Sequence, residues 1–214
     1  MGESLAEMRH DYALSALNKA DADPDPIKQF QRWLQEAVDA RLPEPNAMTL
    51  ATADRAGRPY ARVLLLKECD AGGFVFFTNY RSDKGRQLAE NPHAALVFLW
   101  LELERQVRIE GAVDKISRAD SEAYFRGRPR ESRLGSLASR QSQVVANRQV
   151  LDDRFQQLAA QYPDDNIPVP EHWGGYRLRP EMLEFWQGRH GRLHDRLRYR
   201  LRNGGQWLLE RLEP

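Results

Sequence analysis

The sequence predicts an α+β fold in which β structure dominates: an antiparallel barrel with helices inserted between its strands. Three observations carry that expectation. From Met48 onward, short apolar runs alternate with turn signals, the pattern of a β-meander. Helical spacing interrupts this pattern only three or four times. No β-α-β rhythm occurs, and no Gly-rich dinucleotide or Walker motif, so a doubly wound parallel sheet is not indicated. The chain has 214 residues, 41% of them hydrophobic and 9% aromatic. That is enough for one sizeable core and excludes a disordered or fibrous chain.

Residues 1–25 read as a mobile N-terminal arm, ending in Asp-Ala-Asp-Pro-Asp-Pro (21–26), where acids and prolines oppose regular structure. Residues 26–214 read as a single domain. Pro26 suits the first turn of a helix reaching about Arg41, with Ile27, Phe30, Trp33, Leu34, Ala37 and Val38 at helical spacing. Leu-Pro-Glu-Pro (42–45) stops it. Strands are predicted over Met48–Ala53, Tyr60–Lys67 and Phe74–Asn79, separated by turns at Asp54–Gly57 and Ala71–Gly73. Ser82 caps a short helix through Glu90, closed by Asn91-Pro92. Two further strands follow, Ala94–Trp100 and Gln106–Asp114. In the second, Gln106, Arg108 and Glu110 share one face while Val107 and Ile109 share the other. Ser117 opens a helix that ends near Gly127, because Pro129 disfavours helical geometry at Arg128. Another helix covers Gln143–Gln161. After the loop Tyr162–Trp173, strands return at Gly175–Leu178, Leu183–Gln187, Leu197–Leu201 and Trp207–Leu212.

Charge and targeting signals narrow the functional classes. There is no long uncharged apolar run, so no membrane span is expected. The first residues, MGESLAEMRHDY, lack the apolar stretch of a secretory signal, and Ala6 departs from the myristoylation pattern. The lone Cys69 cannot form an internal disulfide or a thiol metal site, so a reduced, cytoplasmic setting is expected. Lys and Arg number 32 against 31 Asp and Glu, a net charge of +1 that speaks against nucleic acid as a partner. The balance hides basic clusters: eight arginines against three acids over 177–202, and Arg126, Arg128, Arg130 and Arg133. Such clusters focus potential toward anions, phosphates above all, although a solvated basic face has the same composition.

Four stretches contain residues able to carry chemistry. In Arg62-Val-Leu-Leu-Leu-Lys67 two cations bracket an apolar strand. At period 2 they fall on opposite faces, so they are either strand-end cations with their stems along the sheet or placed for function. Phe76 to Lys84 is a strand running into a helix start, where backbone N–H groups and Lys84 can cradle a phosphate. Tyr124 and Arg128 lie one helical turn apart with Ser132 just past the Pro129 break. Hydroxyl, guanidinium and hydroxyl are the groups that bind a phosphate monoester, although spacing alone favours a half-buried Tyr124 and a solvated Arg128. The fourth, Glu184 to Arg196, packs Arg189, Arg192, Arg196, His190, His194 and Trp186 around two glycines. His190 and His194 have no zincin-type acid between them, so no metal is expected, and no Ser-His-Asp order is present. If Arg192-Leu-His194 is a strand, both side chains project to one face and can flank an anion or a planar ring.

These motifs, taken in order, resemble the pyridoxine/pyridoxamine 5′-phosphate oxidases. The resemblance rests on RVLLLK (62–67), FFTN (76–79) with Ser82 and Lys84, LERQVRIEG (103–111), YFRGRPRES (124–132), QS (141–142), EHWGGYRL (171–178), EFWQGR (184–189) and RLHDR (192–196), and runs from about Arg9 to the closing RLEP. It implies a split β-barrel with Greek-key character, assembled as a homodimer with FMN at the interface. It also implies oxidation of pyridoxamine or pyridoxine 5′-phosphate to pyridoxal 5′-phosphate, with O2 reduced to H2O2. By motif, Arg62, Lys84, Gln141 and Ser142 would hold the FMN phosphate and ribityl chain. The backbone of Arg62, Val63, Leu64, Leu65, Leu66 and Lys67, with Phe77, Thr78, Gln106, Trp186 and Arg196, would line the isoalloxazine. Lys67, Tyr124, Arg128 and Ser132 would grip the substrate phosphate. Arg192 and His194, the catalytic pair, would sit over the pyridine ring, with Arg9 and Tyr12 in an N-terminal segment that closes over the substrate. Two departures stand out: Asp83 where the family often has arginine, which an acid cannot replace at a phosphate, and Leu137 where some relatives have an aromatic, read as packing. The related phenazine-pathway flavin oxidases share the fold and the RLH motif; the phosphate grip favours the vitamin B6 enzymes.

Overall fold

The computed structural model describes Ser4 and residues 11–214. Among them, nine strands form one sheet whose neighbours all pair antiparallel. The strands are β1 (Ala47–Ala53), β2 (Pro59–Leu65), β3 (Glu68–Asp70), β4 (Gly73–Asn79), β5 (His93–Trp100), β6 (Arg105–Lys115), β7 (Trp173–Gln187), β8 (Asp195–Leu201) and β9 (Trp207–Leu212). Their order is β2-β1-β5-β6-β7-β4-β3, with β8 and β9 added along the second half of β7. The sheet curls back on itself: just past β2, the Lys67 N–H donates to the Val75 carbonyl of β4 at 2.9 Å. The helices are α1 (Pro26–Asp39), α2 (Asp83–Glu90), α3 (Arg118–Arg126), α4 (Arg130–Ala138) and α5 (Arg148–Gln161).

Local chemistry sets the helix starts as expected. Asp25 accepts from the Ile27 N–H ahead of Pro26, Ser82 from Gly85 and Ser117 from Asp120, each meeting a donor the helix cannot satisfy internally. The apolar stripe of α1 buries Ile27, Phe30, Trp33 and Ala37 in the barrel, where Phe30 meets Phe74 and Phe98 edge-on. A second, smaller core gathers Phe125, Leu134, Ile167 and Trp173 beneath α3, α4 and α5, and Leu137 packs against it. Ahead of α1, Leu17 is buried in the main core and its N–H donates to Asp195 Oδ2 at 3.0 Å.

Several boundaries differ from the expectation. The two strands read at Gly175–Leu178 and Leu183–Gln187 are one strand, β7, continuous through Pro180. The register shift opposite Glu110 and Gly111 absorbs the proline, as a bulge can, and Gly111 passes so close to the Arg179 carbonyl that a Cβ would stand 1.9 Å from it. Helix α4 went unread: Pro129 sits at its N-cap, where a proline starts a helix as readily as it ends one. Helix α5 begins at Arg148 rather than Gln143, because Asn147 caps it through the Val150 N–H. The three-residue edge strand β3 was also unread, being too short to show a period.

Candidate active site

The largest assembly of predicted site residues is a cavity of about 350 Å³ between β2, β4, α2 and α4. Arg62, Val63 and Leu64 of β2 line one side, Phe77 and Thr78 of β4 the floor, and Lys84, Gln141, Arg128 and Ser132 the rest. Its lining contains three cations and no carboxylate. Arg62 donates to the Leu50 carbonyl, Thr52 and Gln87. Lys84 Nζ donates to Gln141 Oε1 at 3.3 Å, and the Thr78 hydroxyl donates to the same oxygen at 3.2 Å. Ser142, at φ 69°, accepts the Asp83 N–H at the start of α2. Burial lowers the pKa of both Arg62 and Lys84; for Lys84 the neighbouring Arg62 adds to this, while Asp83 opposes it for both. Two desolvated, mutually repelling cations are an arrangement that an entering anion relieves.

The neighbouring wall is aromatic. Phe77 and Tyr124 stack with centroids 3.8 Å apart, and Trp173 continues the stack 5.3 Å from Phe77. Gly175 makes room for it: a Cβ there would lie 2.9 Å from the Phe77 ring. The Arg128 guanidinium lies 4.8 Å from the Trp173 ring centroid and donates to Ser136 at 2.8 Å. Burial lowers the Arg128 pKa and raises that of Tyr124. Ser136 and Trp173 were not among the candidates. Ser136 lies on the unread helix α4, where it follows Ser132 by one turn and donates to its carbonyl at 2.9 Å.

A second group lies at the other end of β7. Trp186 sits on the order of 40 Å of strand contour beyond Trp173, at the usual rise per residue. Its partner in register is Gln106 on β6, and His194 packs on it with centroids 4.6 Å apart. Tyr12 closes edge-on against both rings, at 5.6 Å from Trp186 and 5.7 Å from His194. Arg192 and His194 are not in a strand, so the condition for projecting both side chains to one strand face is not met. They sit in and just after the single-turn 3-10 segment His190–Arg192, because Gly191 and Arg192 both take left-handed backbone, at φ 67° and 62°, and break the run between β7 and β8. Burial, then the charge of Arg192, lowers the His194 pKa, and His194 Nδ1 accepts the Arg189 N–H at 3.2 Å. Arg196 donates to Glu184 Oε1 at 2.8 Å and to the Glu213 carbonyl at 2.9 Å.

The chain does not bring these two groups together: Gln106, Trp186, Arg192, His194 and Arg196 are all absent from the cavity lining. Lys67 is also separate, exposed beyond β2 in a depression shared with Gln31, Gln35 and Cys69. Leu66 points into the main core, and the N–H groups of Leu66 and Lys67 go to the Asn46 and Val75 carbonyls, while Leu65 ends β2. Arg9 lies outside the described residues.

Residues 34–162 match the family model described as pyridoxamine 5′-phosphate oxidase. The chain belongs to this family. Residues 173–214 match the model described as the pyridoxine 5′-phosphate oxidase C-terminal dimerisation region, so Trp186, Arg192, His194 and Arg196 of the second group fall within it, while Gln106 and Tyr12 do not. The chain is 56% identical over 211 residues to the pyridoxine/pyridoxamine 5′-phosphate oxidase of a Cyanothece species, with 99% of each chain covered. Among solved structures, PhzG from Burkholderia lata, in complex with tetrahydrophenazine-1-carboxylic acid, superposes with a TM-score of 0.88 at 34% identity, covering 94% of this chain and 100% of that one. A pyridoxamine 5′-phosphate oxidase-related, FMN-binding protein from Nostoc punctiforme shares the fold, with a TM-score of 0.71 at 20% identity over 89% of this chain and 98% of that one. Family membership and these matches fix the architecture as a split barrel. Among the described residues, no helix is long and apolar enough to cross a membrane.

Proposed function

We propose that this chain is an FMN-dependent oxidase that converts pyridoxamine 5′-phosphate and pyridoxine 5′-phosphate to pyridoxal 5′-phosphate, working as a cytoplasmic homodimer. One observation carries the reading: a cavity with three cations, no acid and an aromatic wall, in a chain 56% identical along its length to a named oxidase of this kind. The donor set fits a flavin mononucleotide. Arg62 and Lys84 suit its phosphate, Gln141 and Thr78 its ribityl hydroxyls, with Ser142 outside the lining beside the start of α2, and Val63 and Leu64 its ring. When bound, FMN supplies the hydride acceptor and returns the electrons to O2. The alcohol substrate then yields aldehyde and H2O2; the amine substrate also consumes one water and releases ammonia.

The residues of the chain supply position and charge. Arg128, held by Ser136 and Trp173, suits the substrate phosphate with Tyr124 and Ser132. A phosphate anchored away from the reacting carbon uses remote binding energy to hold that carbon in place. Burial and then the charge of Arg192 lower the His194 pKa, which favours the neutral ring. Because its Nδ1 accepts the Arg189 N–H, the neutral ring carries its proton on Nε2 and offers a donor there. That suits a hydrogen bond to a ring substituent of the substrate better than proton abstraction. In the proposed dimer, the Trp186–His194 end of one copy meets the cavity of the other, which accounts for their separation in one chain.

The decisive test is on purified protein. Denaturation should release FMN and not FAD, and each pyridoxal 5′-phosphate formed from either substrate should be matched by one H2O2. Phosphate-free pyridoxamine should react far more slowly. Absence of flavin, or turnover confined to phosphate-free ring acids of the phenazine type, would defeat this reading.

A further inference from the structure

We propose that Gln87 and Thr52 are positioning residues that aim Arg62 into the cavity while leaving its charge intact. This rests on the reading of the Arg62–Lys84 pair as a grip for the FMN phosphate.

Neither residue lines the cavity, yet both are polar and almost fully buried, at 7% and 4% exposure. Buried polar side chains are costly unless satisfied, so their partners show what they are for. The Thr52 hydroxyl donates to Gln87 Oε1 at 2.7 Å. The same Gln87 oxygen accepts from Arg62 Nη2 at 3.1 Å, and Thr52 Oγ1 accepts from Arg62 Nη1 at 2.6 Å. The Leu50 carbonyl, opposite Arg62 in the β1–β2 register, takes Nη1 as well, at 3.3 Å. The three side chains close a triangle, and three of the five N–H donors of the guanidinium are fixed by it and by β1.

The chemistry of the acceptors matters as much as their positions. Every one is neutral. A carboxylate would fix the guanidinium equally well but cancel the charge that an anion needs, as an ion pair does. A hydroxyl, an amide oxygen and a backbone carbonyl orient the arginine and leave it a full cation facing the cavity. The triangle also ties two elements together. Gln87 lies one helical turn after Lys84 on α2, whereas Thr52 and Arg62 belong to β1 and β2. Fixing Gln87 to Thr52 therefore sets the spacing between the two cations, which a dianionic phosphate reads.

The test is flavin-fluorescence titration of full-length protein stripped of flavin, with FMN and with riboflavin, which lacks the phosphate. Gln87→Leu should weaken FMN about tenfold, the scale of one charge-assisted contact, and leave riboflavin within twofold. Thr52→Val should act in the same direction, and Thr52→Ser, which keeps the hydroxyl, should restore FMN affinity. In an Arg62→Ala background, Gln87→Leu should add nothing. Equal losses for FMN and riboflavin, or additivity with Arg62→Ala, would show the pair to be merely structural and overturn the proposal. So would variants indistinguishable from a wild type that binds FMN. A wild type that binds no FMN overturns both this inference and the functional reading beneath it.

Discussion

Asp83 stands next to the cavity as an acid among cations. In the first turn of α2 it suits the helix dipole, and its carboxylate pairs with Arg86 one turn on. Its field also favours the charged forms of Arg62 and Lys84, offsetting part of what burial costs them. That benefit exists before a ligand arrives; once a phosphate dianion is bound, the same carboxylate repels it. Asp83→Asn should therefore tighten FMN binding and Asp83→Arg should tighten it further, by about fivefold to tenfold in all, as expected for a partly screened charge at the surface. Titrations at low and high ionic strength check the cause, because an electrostatic gain shrinks as salt rises. An Asp83→Asn variant with unchanged affinity at low salt would show that the pairing with Arg86 already neutralises the acid.

The element that best shows how charge holds this fold is the β8–β9 hairpin. Arg198 faces Glu210 in register, and both Arg198 and Arg200 donate to its carboxylate, at 3.0 Å and 2.8 Å. The Arg200 hydrogen bond foremost, with that of Arg198, holds the Glu210 carboxyl down to about 2, against an ordinary value of 4.5. A carboxyl depressed in the folded state adds stability that is complete above the unfolded value and lost as pH falls through the folded one. Wild type should thus be more heat-stable than Glu210→Gln at pH 6, and the gap should close between about pH 4.5 and 2. Melting temperatures across that range check it; a constant gap would assign the effect to packing. The elements themselves were legible to different degrees. Pro26 at a first turn and caps at Ser82 and Ser117 are local chemistry, and α1, α2 and α3 began where those residues required. What escaped was non-local: β7 runs through Pro180 only because it bulges there, with Glu181 as the extra residue opposite Glu110 and Gly111, and α4 starts at a proline that also reads as a stop. The site followed the same rule. Arg62, Lys84, Arg128 and Ser132 stand in compact motifs and meet in one cavity, whereas Ser136 and Trp173 contact Arg128 through an unread helix and a strand start. The backbone at Arg192 and His194 stayed open in the sequence, because left-handed geometry at a non-glycine residue leaves no mark in composition.

At the scale of the whole molecule, one chain holds two groups of candidate site residues apart, which on the proposed reading are two halves of one site. The cavity holds cations for phosphates, while Trp186, Arg192, His194 and Arg196 lie in the stretch that matches a dimerisation region. The sheet also exposes apolar side chains, with Val63 at 70% and Leu99 at 57%, as a face awaiting a partner does. A two-fold dimer would place each half against the complementary half of the other copy. The prediction that follows is complementation. Arg128→Ala and Arg192→Ala should each be nearly inactive alone, since each removes one half from both sites. Co-expressed with different tags and purified through both, the hybrid dimer should carry one site with both defects and one with neither. It should therefore regain about half the wild-type turnover per dimer, with an unchanged KM at the intact site. If instead each site were built from a single chain, both sites of the hybrid would be defective and it would be as inactive as its parents. Turnover of the doubly tagged species, read against its flavin content, separates the two architectures.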